Sequence, residues 1–309
     1  MPSFRIIFMG TPDFAVPSLE RVIAAGYPVV GVVTGPDKPR GRGQQVSGTP
    51  VKEAAAKHAI PIFQPESLQD ATFETSLRAL NPDLIVVVAF RILPPSVFTI
   101  PRCGSFNLHA SLLPRYRGAA PINWAIINGE TETGVSTFFL EDRVDTGKII
   151  LQKSTPITPD DDAGTLHDKL ARIGADAVLE TVRAIEAGTA SPVSQDARLA
   201  SKAPKIFKDD CHINWSLDAE RVRNFIRGLS PLPAAWTTHS STLLKIFKTI
   251  HHDHHTGIPG ALAVEGDALI VSCGTGRLRI LELQQEGRKR MPAGEFLRGF
   301  CVGAGVRLA

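Results

Sequence analysis

The segment Leu84-Ile85-Val86-Val87-Val88-Ala89 constrains the fold more than any other part of the chain. It is apolar throughout, rich in β-branched residues, and shows no alternation. A strand with one wet face alternates, so a continuous apolar run is one buried on both faces, as inside a parallel sheet. Parallel neighbours need crossover connections, usually helical, and the flanking sequence supplies them. Arg5-Ile6-Ile7-Phe8-Met9 reads as a buried strand ending at Gly10. Pro17 opens a helical pattern with Leu19, Val22 and Ile23 on one face, closed at Gly26. Val29 to Val33 is a further strand. Thr49-Pro50 starts another helix with Thr49 as its N-cap. Phe106-Asn107-Leu108-His109 follows as a strand. This βαβα rhythm predicts an α/β domain, doubly wound around a mostly parallel sheet.

The remainder reads differently. A helical pattern runs from about Gly164 to Glu186 and stops at Gly188, and Thr189 to Lys205 is small, polar and twice interrupted by proline. We read a linker there. A helix over Leu217–Arg227 then precedes short strand candidates at Ala235–Thr237, Leu243–Ile250, Ala268–Ser272 and Leu278–Leu283. Turns rich in Gly, His and Asp separate them, a spacing that suits a small β-barrel. The expected division is 1–188, a linker over 189–207, and 208–309, and a length of 309 residues suits two domains.

Hydrophobic residues at 43% and charged residues at 21% exclude a disordered chain. No apolar run approaches the roughly 20 residues of a membrane helix, and Met1 to Arg5 leads straight into a strand, so neither membrane nor signal peptide is expected. Cys103, Cys211, Cys273 and Cys301 are dispersed, without a CxxC pair, which argues against a disulfide framework or zinc site and for a reducing cytoplasm. The net charge of +3 hides an asymmetry: residues 201–309 hold 15 Lys/Arg against 10 Asp/Glu, and 1–200 hold 19 against 21. A basic last third points to a polyanionic partner, or to nothing more than local composition.

The densest chemistry lies at Asn107 to Pro121. Asn107 and His109 are two apart on a strand and so point to the same side, at a carboxyl end where open α/β sheets bind ligands. An amide donor can stabilise an oxyanion and an imidazole can move a proton near neutral pH, a workable pair for acyl chemistry. A hydrogen-bonded structural pair is the alternative. Val144-Asp145-Thr146-Gly147 follows the apolar segment Val135–Leu140. Asp145 could orient His109 as the third member of a catalytic set, or simply accept backbone bonds in a turn. An aspartic protease would need a second such tripeptide, which the chain lacks. Gly10-Thr11-Pro12 is not GxGxxG, which disfavours a nicotinamide site. His251-His252-Asp253-His254-His255 reads as a solvated hairpin tip rather than a metal site.

The pattern Asn-x-His-x-Ser-Leu-Leu-Pro-x-x-Arg-Gly over Asn107–Gly118, with Asp145-Thr146-Gly147, resembles the folate-dependent formyltransferases. The resemblance covers nearly the whole chain. Phe8 to Phe14, the Asp37–Gly43 loop, Arg117 to Ile122 and Ile226 to Pro231 narrow it to the branch acting on a charged initiator tRNA. It implies a Rossmann-like formyltransferase domain followed by an OB-like β-barrel that binds tRNA. The implied reaction moves the formyl group of 10-formyltetrahydrofolate to the α-amino group of methionyl initiator tRNA, without a metal, in a cytoplasmic monomer. The implied catalytic residues are Asn107, His109 and Asp145. Folate contacts are implied at Phe90, Ile92, Leu93, Ser111, Leu112, Leu113 and Pro114, and tRNA contacts at Lys38, Arg40, Arg42, Lys205 and Lys208.

Two segments depart from the family pattern. Ala89-Phe90-Arg91-Ile92-Leu93-Pro94 is one residue shorter than usual and lacks its glycine, and Glu141-Asp142-Arg143-Val144 carries charge before Asp145. The rival readings are formylation of a sugar-nucleotide or purine-ribonucleotide amine, and a non-catalytic RNA-binding protein on the same scaffold.

Overall fold

In the computed structural model, residues 4–40, 45–240, 242–299 and 306–309 are described. The chain forms two compact units, each discontinuous in sequence. The first comprises Met1–Gly118, Thr133–Thr155 and His167–Lys202; the second comprises Ala119–Glu132, Pro156–Leu166 and Ala203–Ala309.

The first unit is built on a seven-stranded sheet. Its order is Ile149–Pro156, Glu132–Phe139, Ser105–His109, Leu84–Val88, Ile6–Gly10, Val29–Val33, Ile62–Phe63. The five strands from Ser105–His109 to Ile62–Phe63 are parallel, and Glu132–Phe139 runs antiparallel to Ser105–His109. Every residue of Leu84–Val88 and of Ile6–Gly10 is buried, as continuous apolar runs require. The helices Val16–Ala24, Pro50–Lys57 and Ala71–Ala79 make the crossovers. Thr49 caps the second, its side chain accepting from the Lys52 N–H at 3.1 Å.

The chain leaves the central strand Ile6–Gly10 in one direction, through Val29–Val33, and returns on its other side at Leu84–Val88. That reversal is the switch point at which a doubly wound sheet opens a crevice beyond its carboxyl ends. Gly10 ends the first of these strands, where an added Cβ would lie 2.9 Å from the Val88 carbonyl oxygen and 2.8 Å from the Ala15 Cβ. The long helix Ala163–Glu186 buries Leu170, Val178 and Val182. Its Gly174 lets Leu108 approach so closely that a Cβ there would lie 2.6 Å from Leu108 Cδ2. Leu108 therefore faces this helix, and Asn107 and His109 face the other side of the sheet.

In the second unit an antiparallel sheet runs in the order Ala235–His239, Thr242–Asp253, Arg277–Gln285, Ala268–Ser272, Leu262–Glu265, with Met291–Pro292 paired to Arg277–Gln285. Residues 306–309 join its first and last strands. On one side the Ala309 N–H donates to the Thr238 carbonyl (2.9 Å); on the other, Leu308 N–H donates to Gly260 O (2.8 Å) and Leu262 N–H to Val306 O (3.0 Å). Through these residues the sheet closes into a small barrel. Helix Ala219–Leu229, capped by Asp218, starts two residues later than the apolar pattern suggests, and buries Val222, Ile226 and Leu229 against the barrel core. Helix Pro121–Ile127 belongs to the same unit. Its Asn123 amide donates to the Gly228 carbonyl at 2.7 Å, and Ile127 Cγ1 lies where a Gly228 Cβ would stand. Arg227 ties in the segment 158–161 by donating to Thr158 O and Asp161 O at 3.1 and 2.8 Å.

One local expectation is corrected. His251-His252-Asp253 is not a hairpin tip: the strand runs on through Asp253, which faces Arg277 in register. His251 pairs with Glu220 (2.6 Å) and His252 with Glu265 (3.0 Å). The Arg277 guanidinium hydrogen-bonds Asp253 and holds its carboxyl well below the usual range. Polar residues on the wet face of a strand mimic a turn in sequence.

Candidate active site

Asn107 and His109 stand on the strand Ser105–His109, next to the switch point. Their register partners are Val87 and Phe138 for Asn107, and Ser136 for His109. Asn107 is half-buried and His109 is 6% exposed. The chain then turns through a cis Leu113–Pro114 peptide, and Tyr116 adopts a left-handed conformation with φ of 60°. This turns the Tyr116 carbonyl onto the imidazole, 2.8 Å from His109 Nε2. A carbonyl only accepts, so Nε2 carries a hydrogen and Nδ1 is the ring atom left to exchange a proton.

Asp145 meets that atom: its Oδ2 lies 3.9 Å from His109 Nδ1, with both side chains nearly buried. Asp145 is also left-handed, with φ of 57°. The same Oδ2 accepts the Gly118 N–H at 2.9 Å. Gly147 allows this turn to fold back on its own strand, since a Cβ would fall 1.7 Å from the Phe139 carbonyl oxygen. Ala89, the first residue beyond Leu84–Val88, is the third left-handed non-glycine residue here, with φ of 48°. Such conformations persist only where surrounding structure over-determines them, and they cluster at functional sites.

The residues expected to hold folate fall in two loops that leave adjacent strands, Val88 and Leu108 being register partners. Phe90 is half-buried, Ile92 is 74% exposed, and Leu93 is buried with Ile7, Met9 and Val87. In the second loop Ser111 and Leu113 are buried, and Leu112 and Pro114 are half-buried. The Ser111 hydroxyl donates to Arg115 O at 2.6 Å. Ser136 gathers this loop: its hydroxyl donates to Ser111 O (2.6 Å) and accepts from the Leu113 N–H (2.9 Å) and the Gln152 amide (2.8 Å).

Of the cations expected at tRNA, Lys38 is exposed on the first unit, and Lys205 and Lys208 are exposed on the second. Lys205 Nζ lies 5.2 Å from the ring centroid of the exposed Phe207. Arg42 and the side chain of Arg40 lie outside the described residues. Among the described residues no group of three or more His, Cys, Asp or Glu is arranged to hold a metal ion, and no helix is long and apolar enough to cross a membrane.

Arg91 stands out in the sequence only as a departure from the family pattern, and Gln195, Ser201 and Ser136 belong to no motif. Arg91 clamps the first loop by donating to Glu66 O (2.9 Å) and Pro65 O (2.8 Å), and lies over the Phe90 ring. Burial lowers its pKa. Its unusual place after the strand was the available signal. Gln195 and Ser201 sit in a small, polar stretch that carries no signal at all.

The fold is that of a formyl transferase. The Formyl transferase family matches residues 4–182, and the family described as Formyl transferase, C-terminal domain matches residues 205–301. A methionyl-tRNA formyltransferase of Geobacter metallireducens is 48% identical over 310 residues, spanning 100% of this chain and 99% of that one. A methionyl-tRNA formyltransferase of Chlorobium phaeovibrioides is 50% identical over 309 residues, spanning 98% of this chain and 97% of that one. The chain belongs to the methionyl-tRNA formyltransferase family. Among solved structures, the N-formyltransferase from Helicobacter canadensis, in complex with folinic acid and dTDP-3-aminofucose, shares the fold with a TM-score of 0.67 at 22% identity, over 89% of this chain and 98% of that one.

Proposed function

We propose that the chain transfers the formyl group of 10-formyltetrahydrofolate to the α-amino group of methionyl initiator tRNA. The carrying observation is the opposition of His109 and Asp145 at the carboxyl end of the strand that also bears Asn107, in a chain at 48 and 50% identity to methionyl-tRNA formyltransferases. The amine nitrogen bonds to the formyl carbon, and the formyl oxygen becomes an oxyanion. Asn107 and protonated His109 donate to that oxygen, where preorganised donors lower the barrier most. Collapse breaks the bond between the formyl carbon and the folate nitrogen. The amine loses one proton and the departing nitrogen gains one; His109 and Asp145 are the titratable pair placed to carry it. The donor is already an activated amide, so no metal enters these steps.

The loops carrying Phe90, Ile92 and Leu93, and Ser111, Leu112, Leu113 and Pro114, leave adjacent strands and would hold the folate between them. Lys38, Arg40 and Arg42 would contact the acceptor end of the tRNA. Lys208, at the start of a C-terminal domain over 208–309, and Lys205, in the segment 189–207 that joins that domain to residues 1–188, would contact the tRNA as well. The reaction belongs in the cytoplasm, and the chain acts as a monomer. Charged initiator tRNA, a labelled formyl donor and detection of formylmethionine test the reading. Transfer to a sugar-nucleotide amine in place of the tRNA would overturn it.

A further inference from the structure

The segment that follows the long helix touches Asp145 and the residue that holds His109. Val193 pairs with Ile149 through two backbone bonds of 2.8 Å, which anchors the segment to the sheet edge. Six residues apart, Gln195 and Ser201 then reach the two loops. Ser201 takes the His109 side: its hydroxyl accepts the Tyr116 N–H (2.8 Å) and its carbonyl accepts the Arg117 N–H (2.9 Å). Tyr116 is the residue whose carbonyl holds His109 Nε2.

Gln195 takes the Asp145 side. Its Nε2 donates to the Asp145 carbonyl at 3.0 Å and to the Gly147 carbonyl at 2.8 Å. Its Oε1 accepts from the Arg117 guanidinium, at 3.1 Å from Nε and 2.5 Å from Nη2. The guanidinium fixes the amide's orientation, because it can only donate and so needs Oε1. The two amide hydrogens are then necessarily aimed at the aspartate turn. The reversed amide would set NH2 against a cation and an oxygen against two carbonyls.

This matters because nothing between His109 and Asp145 themselves fixes their spacing. At 3.9 Å they stand beyond hydrogen-bond range, and Asp145 holds an unfavourable left-handed backbone. Its place is set by the Gly118 N–H that its carboxylate accepts and by the Gln195 amide that grips its backbone. We infer that Gln195 is a positioning residue for the transfer, holding the backbone of Asp145 so that its carboxylate stays opposed to His109 Nδ1. This rests on the proposed formyl transfer through that pair.

Gln195→Met keeps the volume and removes every polar contact, and Gln195→Asn is the milder variant. Formyl transfer should fall about tenfold or more in kcat for Gln195→Met and less for Gln195→Asn, with KM for the donor within about twofold of the unsubstituted chain. In an Asp145→Asn background, Gln195→Met should cost little more, because groups acting as a unit are non-additive. The 15N signal of His109 Nδ1 should also move in Gln195→Met and stay in place in an exposed control, Lys57→Ala. Unchanged kcat in folded Gln195→Met, or the same fold-loss with and without Asp145, overturns the inference. If the unsubstituted chain forms no formylmethionine, the proposed reaction fails, while an unmoved imidazole signal would separately reject the positioning role.

Discussion

His109 and Asp145 face each other across 3.9 Å, Nδ1 to Oδ2, in a site where the other imidazole nitrogen is committed to the Tyr116 carbonyl. The pair is opposed without being bonded, so the carboxylate can receive an Nδ1 proton after a small approach while Nε2 stays fixed. His109→Ala and Asn107→Ala should each lower the rate of formyl transfer by roughly 10²-fold or more, the scale of losing a general acid–base group or an oxyanion donor. Both should fold. The alanine at 109 removes the imidazole's hydrogen bond to the Tyr116 carbonyl, a loss of about 1 kcal/mol. Single-turnover rates beside thermal melts check this; near-normal rates in folded His109→Ala reject the assignment.

The opposed geometry also predicts how losses combine. Asp145→Asn keeps the shape and can still accept from Gly118 N–H, but lacks the charge. If the carboxylate works through His109, the double variant with His109→Ala should be little slower than the slower single variant. Fully multiplicative losses would mean that Asp145 acts on the substrate by another route.

Gly147 and Gly188 offer a matched comparison. A Cβ at 147 meets the Phe139 carbonyl oxygen at 1.7 Å, a backbone atom that cannot swing aside; at 188, with φ of 66°, a Cβ meets nothing within 4 Å. Gly188→Ala should cost about 1 kcal/mol for its left-handed backbone. Gly147→Ala should cost more, about 1–3 kcal/mol, and should slow transfer as well, because the shift displaces Asp145. Denaturant titration of the two variants decides; equal costs contradict the close approach.

How much of this could be read from sequence depended on range. The strand Leu84–Val88 and the strands beside it were legible because burial on both faces leaves an unbroken apolar run. Asn107 and His109 were legible as a pair because strand geometry is local. The edge strand Ile149–Pro156 was not, because it is half-buried or exposed along most of its length and half polar. Gln195 was illegible for a stronger reason. Its partners Asp145 and Arg117 are 50 and 78 residues away, and a lone glutamine in a small, polar stretch has no periodicity to betray them. The packing of helix Pro121–Ile127 on Ala219–Leu229 is likewise a contact between distant segments that no window of sequence contains.

Tyr27 reports on the far end of the long helix. Its hydroxyl donates to Glu186 Oε2 at 2.6 Å, and burial, with that carboxylate, pushes its pKa up to about 12 from 10.0. The folded chain keeps this proton where the unfolded chain has lost it. The contribution is complete below pH 10, declines as pH rises, and is gone above pH 12. Tyr27→Phe should therefore flatten the alkaline fall in thermal midpoint over that window. An unchanged fall assigns the loss to other groups.

The tRNA reading makes its clearest claim in salt dependence. Phosphate contacts release counterions, so affinity should fall steeply as salt rises. Lys205 and Lys208 are both exposed on the second unit, and Lys205 lies over the exposed Phe207. Truncation after Lys205 would test this poorly. It strips helix Pro121–Ile127 of its partner Ala219–Leu229 and leaves the Asn123 amide without the Gly228 carbonyl, so the fragment should lose solubility for reasons unrelated to tRNA. Point variants are cleaner. Lys205→Ala and Lys208→Ala should each weaken tRNA binding and reduce the slope of log affinity against log salt by about 1, with folate binding unchanged. Lys57→Ala, an exposed lysine on the first unit, should leave the slope alone. If all three variants keep the slope of the unsubstituted chain, Lys205 and Lys208 do not meet phosphate, and the basic last third is a matter of composition rather than of tRNA contact.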